Sequence, residues 1–249
     1  MRRDETPPQA VTTARVVVLL DASRHSQVAL AAAVELAGRQ RAELVALHVE
    51  DIELLHCSAF PFACEIGAQS GLSRPLTPGS LAANIDQQRQ RVKQALLAAV
   101  AGRQLQHRLE VRRGEIVAAA LALAEPGDVL MLGKAGLGER WGNQLGSTSR
   151  QLILQAPCTV LLWDERHPYQ RGPLRVWQPT EPLAVPDWLS ALFDEPVVVP
   201  AATARELAQR LARATSGGVL LRQSELAALL QEDEQLIARL ALPILVTPS

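Results

Sequence analysis

The stretch from Val129 to Ser149, V-L-M-L-G-K-A-G-L-G-E-R-W-G-N-Q-L-G-S-T-S, gathers the residue types best suited to binding chemistry in this 249-residue chain. It opens on an apolar run, Val129-Leu130-Met131-Leu132, that reads as a buried strand. Gly133 ends the strand and a glycine-rich loop follows. Order returns at Gly146-Ser147-Thr148-Ser149, ahead of a helix expected over Arg150–Ala156 with a hydroxyl residue as its N-cap. Strand, flexible loop and helix start together suit an anion. Glycines let backbone N–H groups approach closely, and a helix N-terminus offers unpaired donors and the positive end of its dipole. The same glycines could also serve turns alone. Two familiar phosphate motifs are excluded: no Lys-Ser or Lys-Thr follows a G-x-x-x-x-G, and Gly136-x-Gly138 runs on into Glu139, Arg140 and Trp141 rather than completing a dinucleotide fingerprint.

The elements that must position this loop alternate between strand and helix. Arg15–Leu20 is short, apolar and β-branched, as a buried parallel strand should be. Asp21-Ala22-Ser23 closes it, Ser23 can cap a helix over Gln27–Arg41, and Leu44–Val49 reads as the second strand of a right-handed βαβ unit. In open α/β sheets ligands bind at the carboxyl ends of the strands, where Asp21 lies. Its carboxylate could accept hydrogen bonds from a base or a ribose, or could simply cap the first helix. Residues Glu50–Ser80 read as a long connection, a lid or a mobile loop. A helix over Leu81–Arg103, a half-exposed strand over Leu105–Arg112, a helix opening at Gly114-Glu115-Ile116 and a strand over Cys158–Trp163 complete this part.

The spacing Gly133-x2-Gly136-x9-Gly146-Ser147 resembles the nucleotide-binding signature of the universal stress protein family. Asp21 and Val49, the latter following His48, stand where family members hold adenine. The resemblance covers about Ala14–Trp163. It implies an α/β fold with an open, mainly parallel five-stranded sheet and helices on both faces. It also implies ATP as ligand, with ADP or AMP as alternatives and Mg2+ alongside. Asp21 and the Val49 backbone would hold adenine and ribose. Gly133, Gly136, Gly146, Ser147 and Thr148 would hold phosphates, with Lys134 and Arg140 neutralising charge or facing solvent. Gly114 is a weaker candidate.

Composition narrows the function classes. The net charge is −1, which gives no reason to expect nucleic acid or an acidic membrane as partner. Met1–Ala14 reads as a disordered polar tail without a signal-peptide core, no run is long enough to span a membrane, and a cytoplasmic location is expected. Cys57, Cys64, His48 and His56 are too loosely spaced to suggest a metal site, and Cys158 reads as a small buried residue. Residues 164–173 form a linker by composition. Beyond it, strand-like Leu174–Gln178, Pro196–Val199, Gly218–Leu221 and Ile244–Thr247 alternate with helical Ala202–Thr215 and Glu225–Leu240. This part reads as a shortened, degenerate second copy of the first, or else as an unrelated small α/β domain. It has no glycine between Arg222 and Gln235, where a phosphate loop belongs, and only Glu181 as a faint counterpart of Asp21. The resemblance further implies that last strands pair edge to edge, either between the two halves or in a homodimer. The expected function is a nucleotide-binding regulatory or stress-response protein. The alternatives are an adaptor for an unidentified protein partner and a slow ATPase, since no base accompanies the loop and Glu139 is its one carboxylate.

Overall fold

The computed structural model describes residues 15–51, 56–58, 60–67, 70–134, 145–163, 170–178 and 182–249. The tail 1–14, residues 164–169 of the expected linker, and the named positions Gly136, Gly138, Glu139, Arg140, Trp141 and Glu181 lie outside the described residues. In chain order the first half comprises β1 (Arg15–Leu19), α1 (Arg24–Gln40), β2 (Glu43–Asp51), a hairpin of β3 (Cys64–Ile66) and β4 (Ser73–Pro75), and α2 (Pro78–Val100). It continues through β5 (His107–Gly114), α3 (Ile116–Leu121), β6 (Val129–Gly133), α4 (Ser147–Gln155) and β7 (Thr159–Trp163). The second half comprises β8 (Pro173–Val176), a 310 turn (Asp187–Ala191), β9 (Asp194–Val198), α5 (Ala204–Leu211), β10 (Gly218–Arg222), α6 (Gln223–Glu232), α7 (Leu236–Arg239) and β11 (Ile244–Thr247).

Nine strands form one sheet in the order β5-β2-β1-β6-β7-β11-β10-β8-β9. Every neighbouring pair is parallel, except at the centre, where β7 and β11 run antiparallel with Val160 opposite Val246 and Leu162 opposite Ile244. Outward from this seam the first half places its fifth, fourth, first, second and third strands in turn. The second half places its fourth, third, first and second, the same winding with one strand fewer.

The strands read as continuous apolar runs because both faces of the sheet are covered. Val16, Val18, Met131, Leu161, Trp163, Leu220 and Leu245 point to the face carrying α1 and α2. Val17, Leu130, Leu132, Val160, Leu162, Leu221 and Val246 point to the face carrying α3, α4, α5 and α6. Both layers pass through the seam without a break, so the halves share their cores. β5 and β9 form the edges. β9, exposed throughout, carries Asp194, Glu195 and Pro196, which discourage further strand addition.

Three sequence expectations are corrected. The helix after β1 starts at Arg24, not Gln27, because the Ser23 hydroxyl accepts the Ser26 amide at 3.2 Å and commits the chain to helix at once. Within the connection read as a long loop, β3 and β4 pair and Thr77 caps α2 at Pro78. The helix expected over Glu225–Leu240 breaks at Asp233, whose carboxylate accepts the Gln235 amide at 3.1 Å and starts the separate turn of α7. Among the described residues no helix is long and apolar enough to cross a membrane.

At the amino ends of the central strands Arg15 clasps Asp128 in a two-pronged pair, Nε to Oδ1 at 3.0 Å and Nη2 to Oδ2 at 2.7 Å. The Asp128 side chain is fully buried and also accepts the Glu125 amide at 2.8 Å. The hydrogen bonds that Arg15 donates to Asp128 raise its pKa above the ordinary value. Replacing Asp128 by Ala leaves the partly buried Arg15 guanidinium with only the exposed Glu125 carboxylate at 3.1 Å and the Leu123 carbonyl at 3.2 Å, and should cost about 3 kcal/mol of stability; urea unfolding of D128A against the wild type reads this directly.

Candidate functional site

β1 hands the chain to β2 on one side, while β5, through α3, returns it to β6 on the other. The crevice at the carboxyl ends of β1 and β6 is therefore a topological switch point, the place where open α/β sheets take ligands. Asp21, Gly133 and the end of β2 meet at this edge.

Asp21 is exposed there, two residues beyond β1. Its Oδ1 accepts the Ser23 amide at 3.0 Å, and its own carbonyl accepts Gln88 Nε2 of α2 at 2.9 Å. Crowding by neighbouring atoms pushes its pKa up, but hydrogen bonds with Ser23 and Ser26 outweigh this and leave it below the ordinary carboxylate value. The capping reading and the binding reading of Asp21 are thus compatible: one oxygen steadies the turn into α1 and the carboxylate stays charged and accessible.

Val49 lies two residues beyond Leu47, the last residue of β2 in register with β1. Leu44 of β2 donates its amide to Gln106 on the β5 side at 2.9 Å, whereas the Leu47 carbonyl accepts the Leu20 amide on the β1 side at 2.8 Å. Alternation along a parallel strand then directs the Val49 N–H and C=O to the β1 side, where β1 has already ended at Leu19. A strand edge with one donor and one acceptor is left facing the crevice. Next to it the buried Glu50 carboxylate is held by Arg113 at 2.7 Å and Arg89 at 3.3 Å. Gly114, at the end of β5, has φ +143°, a conformation that favours glycine.

α4 begins with Gly146 as its N-cap, and among the described residues no side chain caps its first-turn amides. The expected hydroxyl N-cap is corrected: Ser147 and Thr148 lie inside the first turn, because Gly146 already takes the extended cap conformation at φ −57°, ψ 147°. The structure brings Asp21, Val49 and Gly133 to one edge and presents Gly146, Ser147 and Thr148 at the start of the helix that follows the loop from β6.

Two expected phosphate contacts have other occupations. Gly133 packs against the start of α1: a Cβ there would lie 2.5 Å from the His25 carbonyl carbon and 2.9 Å from the Ser26 nitrogen, so glycine is required for close approach of strand and helix. Lys134 is buried, with its amide on the Trp163 carbonyl at 2.7 Å and its ammonium on the Leu240 carbonyl of the second half. Cys158 is buried and burial pushes its thiol up to about 11, in keeping with a packing role. Sequence reasoning missed His48 and Gln88. The signal for His48 was a lone polar residue inside an otherwise apolar buried strand.

Gly133→Ala should destabilise by about 1–3 kcal/mol through the backbone clash with α1, read as a lower urea midpoint. Asp21 has a depressed pKa in the fold, so its contribution is present above the ordinary carboxylate pKa and is lost as the pH falls through the folded value. The stability difference between wild type and Asp21→Asn, present at neutral pH, should therefore shrink below about pH 4; urea midpoints across pH 2.5–7 test it.

Residues 62–163 match the model of the Universal stress protein family. None of the curated proteins compared with the chain matches it. A universal stress protein from Archaeoglobus fulgidus is similar over 95% of this chain and 98% of its own, at 11% identity and a TM-score of 0.56. A functionally unknown protein from Pseudomonas aeruginosa is similar over 96% of this chain and 94% of its own, at 12% identity and a TM-score of 0.57. At such identities the likeness is one of fold, and it extends through the second half as well as the first. The family match over residues 62–163 and this fold agree with the motif and strand pattern of the first half: this part of the chain is similar to a universal stress protein domain.

Proposed function

We propose that this chain is an ATP-binding regulatory protein of the cytoplasmic stress response, with ADP or AMP as alternative ligands. The observation that carries this reading is the convergence at the switch point of an unpaired strand edge at Val49 and a charged acceptor at Asp21, with the helix start at Gly146 lacking a side-chain cap. These fit the three parts of a nucleotide. The Val49 N–H and C=O suit the edge of adenine, Asp21 suits a base amino group or ribose hydroxyl, and the α4 amides with Ser147 and Thr148 suit phosphates. Gly136 completes the motif from outside the described residues. Mg2+ would be carried by the phosphates, which supply the oxygen ligands it prefers.

The second half, in this reading, is a degenerate copy that serves as an intramolecular partner. Three features support a crevice closed to nucleotide there. α6 starts directly after β10, leaving no residues for a phosphate loop. Arg222, at the end of β10, donates to the Pro182 carbonyl. Gln178, just beyond β8, accepts the Leu183 amide at 2.9 Å. The same half braces the loop of the first. Lys134 at its start reaches Leu240, and Arg150 in α4 pairs with Glu234 at 3.0 Å. An adaptor role is the second reading, and one observation favours it: Phe60, Phe62, Ile66 and Leu72 are exposed on and beside the β3–β4 hairpin.

Isothermal titration of the nucleotide-stripped chain with ATP and Mg2+ tests the proposal. One ATP per chain is expected, with Asp21→Ala weakening binding about ten- to a hundredfold and Gly136→Val or Gly146→Val abolishing it without unfolding. No binding by the wild type, or full binding by both glycine variants, overturns the site.

A further inference from the structure

The open edge at Val49 needs an explanation, because a parallel ladder left to itself would close it. Leu20 donates its amide to the Leu47 carbonyl at 2.8 Å, and the next bond of that ladder would run from the Val49 amide to the Leu20 carbonyl. That bond is not made: the Leu20 carbonyl is instead bonded by His48 Nδ1 at 2.8 Å. A carbonyl can only accept, so Nδ1 carries the proton. His48 is buried, and its side chain rises on the α1 and α2 face, opposite to Leu47 and Val49. Its other nitrogen, Nε2, is buried and has no hydrogen-bond partner among the described residues. An unsatisfied buried nitrogen is costly, and a leucine would fill the same place without that cost.

We propose that His48 is a positioning residue for the nucleotide site. Its Nδ1–H takes the Leu20 carbonyl out of the β1–β2 ladder, which leaves the Val49 N–H available to an adenine edge and sends the chain on to Asp21. The ring does this with Nδ1 alone; Nε2 is a by-product of using an imidazole. A side chain with a donor at the δ position is therefore sufficient. Asparagine meets that requirement, glutamine places its donor one carbon too far, and leucine removes it. This inference rests on the nucleotide reading for its purpose, but the backbone switch at Leu20 stands apart from it.

Two measurements test it. Hydrogen exchange followed by NMR on the ligand-free full chain should show the Val49 amide exchanging fast in the wild type and in His48→Asn. In His48→Leu it should slow at least tenfold, as Leu20 returns to the ladder. Titration with ATP should show His48→Leu and His48→Gln at least tenfold weaker than wild type and His48→Asn within threefold of it. Inorganic tripolyphosphate, which has no base, should bind all four alike. A protected Val49 amide in the ligand-free wild type overturns the proposal, as does unchanged ATP binding by both His48→Leu and His48→Gln. Should His48→Leu fail to fold, the wild-type exchange rate and the asparagine–glutamine contrast decide. Should the wild type bind no ATP while Val49 exchanges as described, the nucleotide reading fails and the backbone switch survives.

Discussion

The hydrogen-bond ladder on either side of β1 is the constraint on which the rest of the molecule depends. Five residues, Arg15–Leu19, pair with β2 on one side and, through Val16–Val18, with β6 on the other. Val16, Val17 and Val18 are buried on both faces of the sheet. A strand so enclosed has no free polar edge along its length, and the chain's backbone groups come free only where it stops. It stops at Leu19, while β2 runs on to Asp51 and β6 to Gly133. The difference in length makes the crevice. Arg15 and Asp128 hold the opposite end, so the position at which the ladder runs out is set from below by a buried ion pair and from above by the turn at Asp21.

The parts of this architecture that were legible in the sequence are those whose cause is local. Ile244–Thr247 is recovered to the residue, and Val129–Leu132 to within one, because a two-sided buried strand must be a short unbroken apolar run. A helix start after Gly146 was legible because glycine and hydroxyl residues gather at helix N-termini, although the helix opens at Ser147 rather than at Arg150. What stayed hidden depends on register or on distant contacts. Nothing near Lys134 points to Leu240, a hundred residues on, so a lysine in a glycine loop reads as a phosphate ligand until the partner is seen. Gly133 reads as a strand end and a phosphate contact, but its size is demanded by the first turn of α1. The meaning of His48 lies in which neighbour each β2 residue faces, and that becomes visible only once β1 and β2 are in register.

The two halves use the same winding to different ends. In the first, thirteen residues separate β6 from α4, and among the described residues no side chain caps the helix start that follows. In the second, β10 passes into α6 without an intervening residue, and the residues beyond β8 turn back to satisfy the strand ends with their own amides and carbonyls. Trp177 shows the same economy, its indole N–H meeting the Ala201 carbonyl at 2.8 Å. The strand ends of the second half are met from within, and that is a physical distinction between the halves independent of any motif.

The antiparallel seam also sets a timetable for synthesis. Val160 finds its partner in Val246, and at roughly 5–20 residues per second the intervening stretch takes about 4–17 s to emerge. Through that interval the first half can wind its five strands but must hold β7 with one apolar edge unpaired. The completed core waits for the strand made after all the others. Any nascent chain that stalls within this window keeps the backbone N–H and C=O groups along the β11 side of β7 unpaired, a strand edge that the finished sheet covers completely.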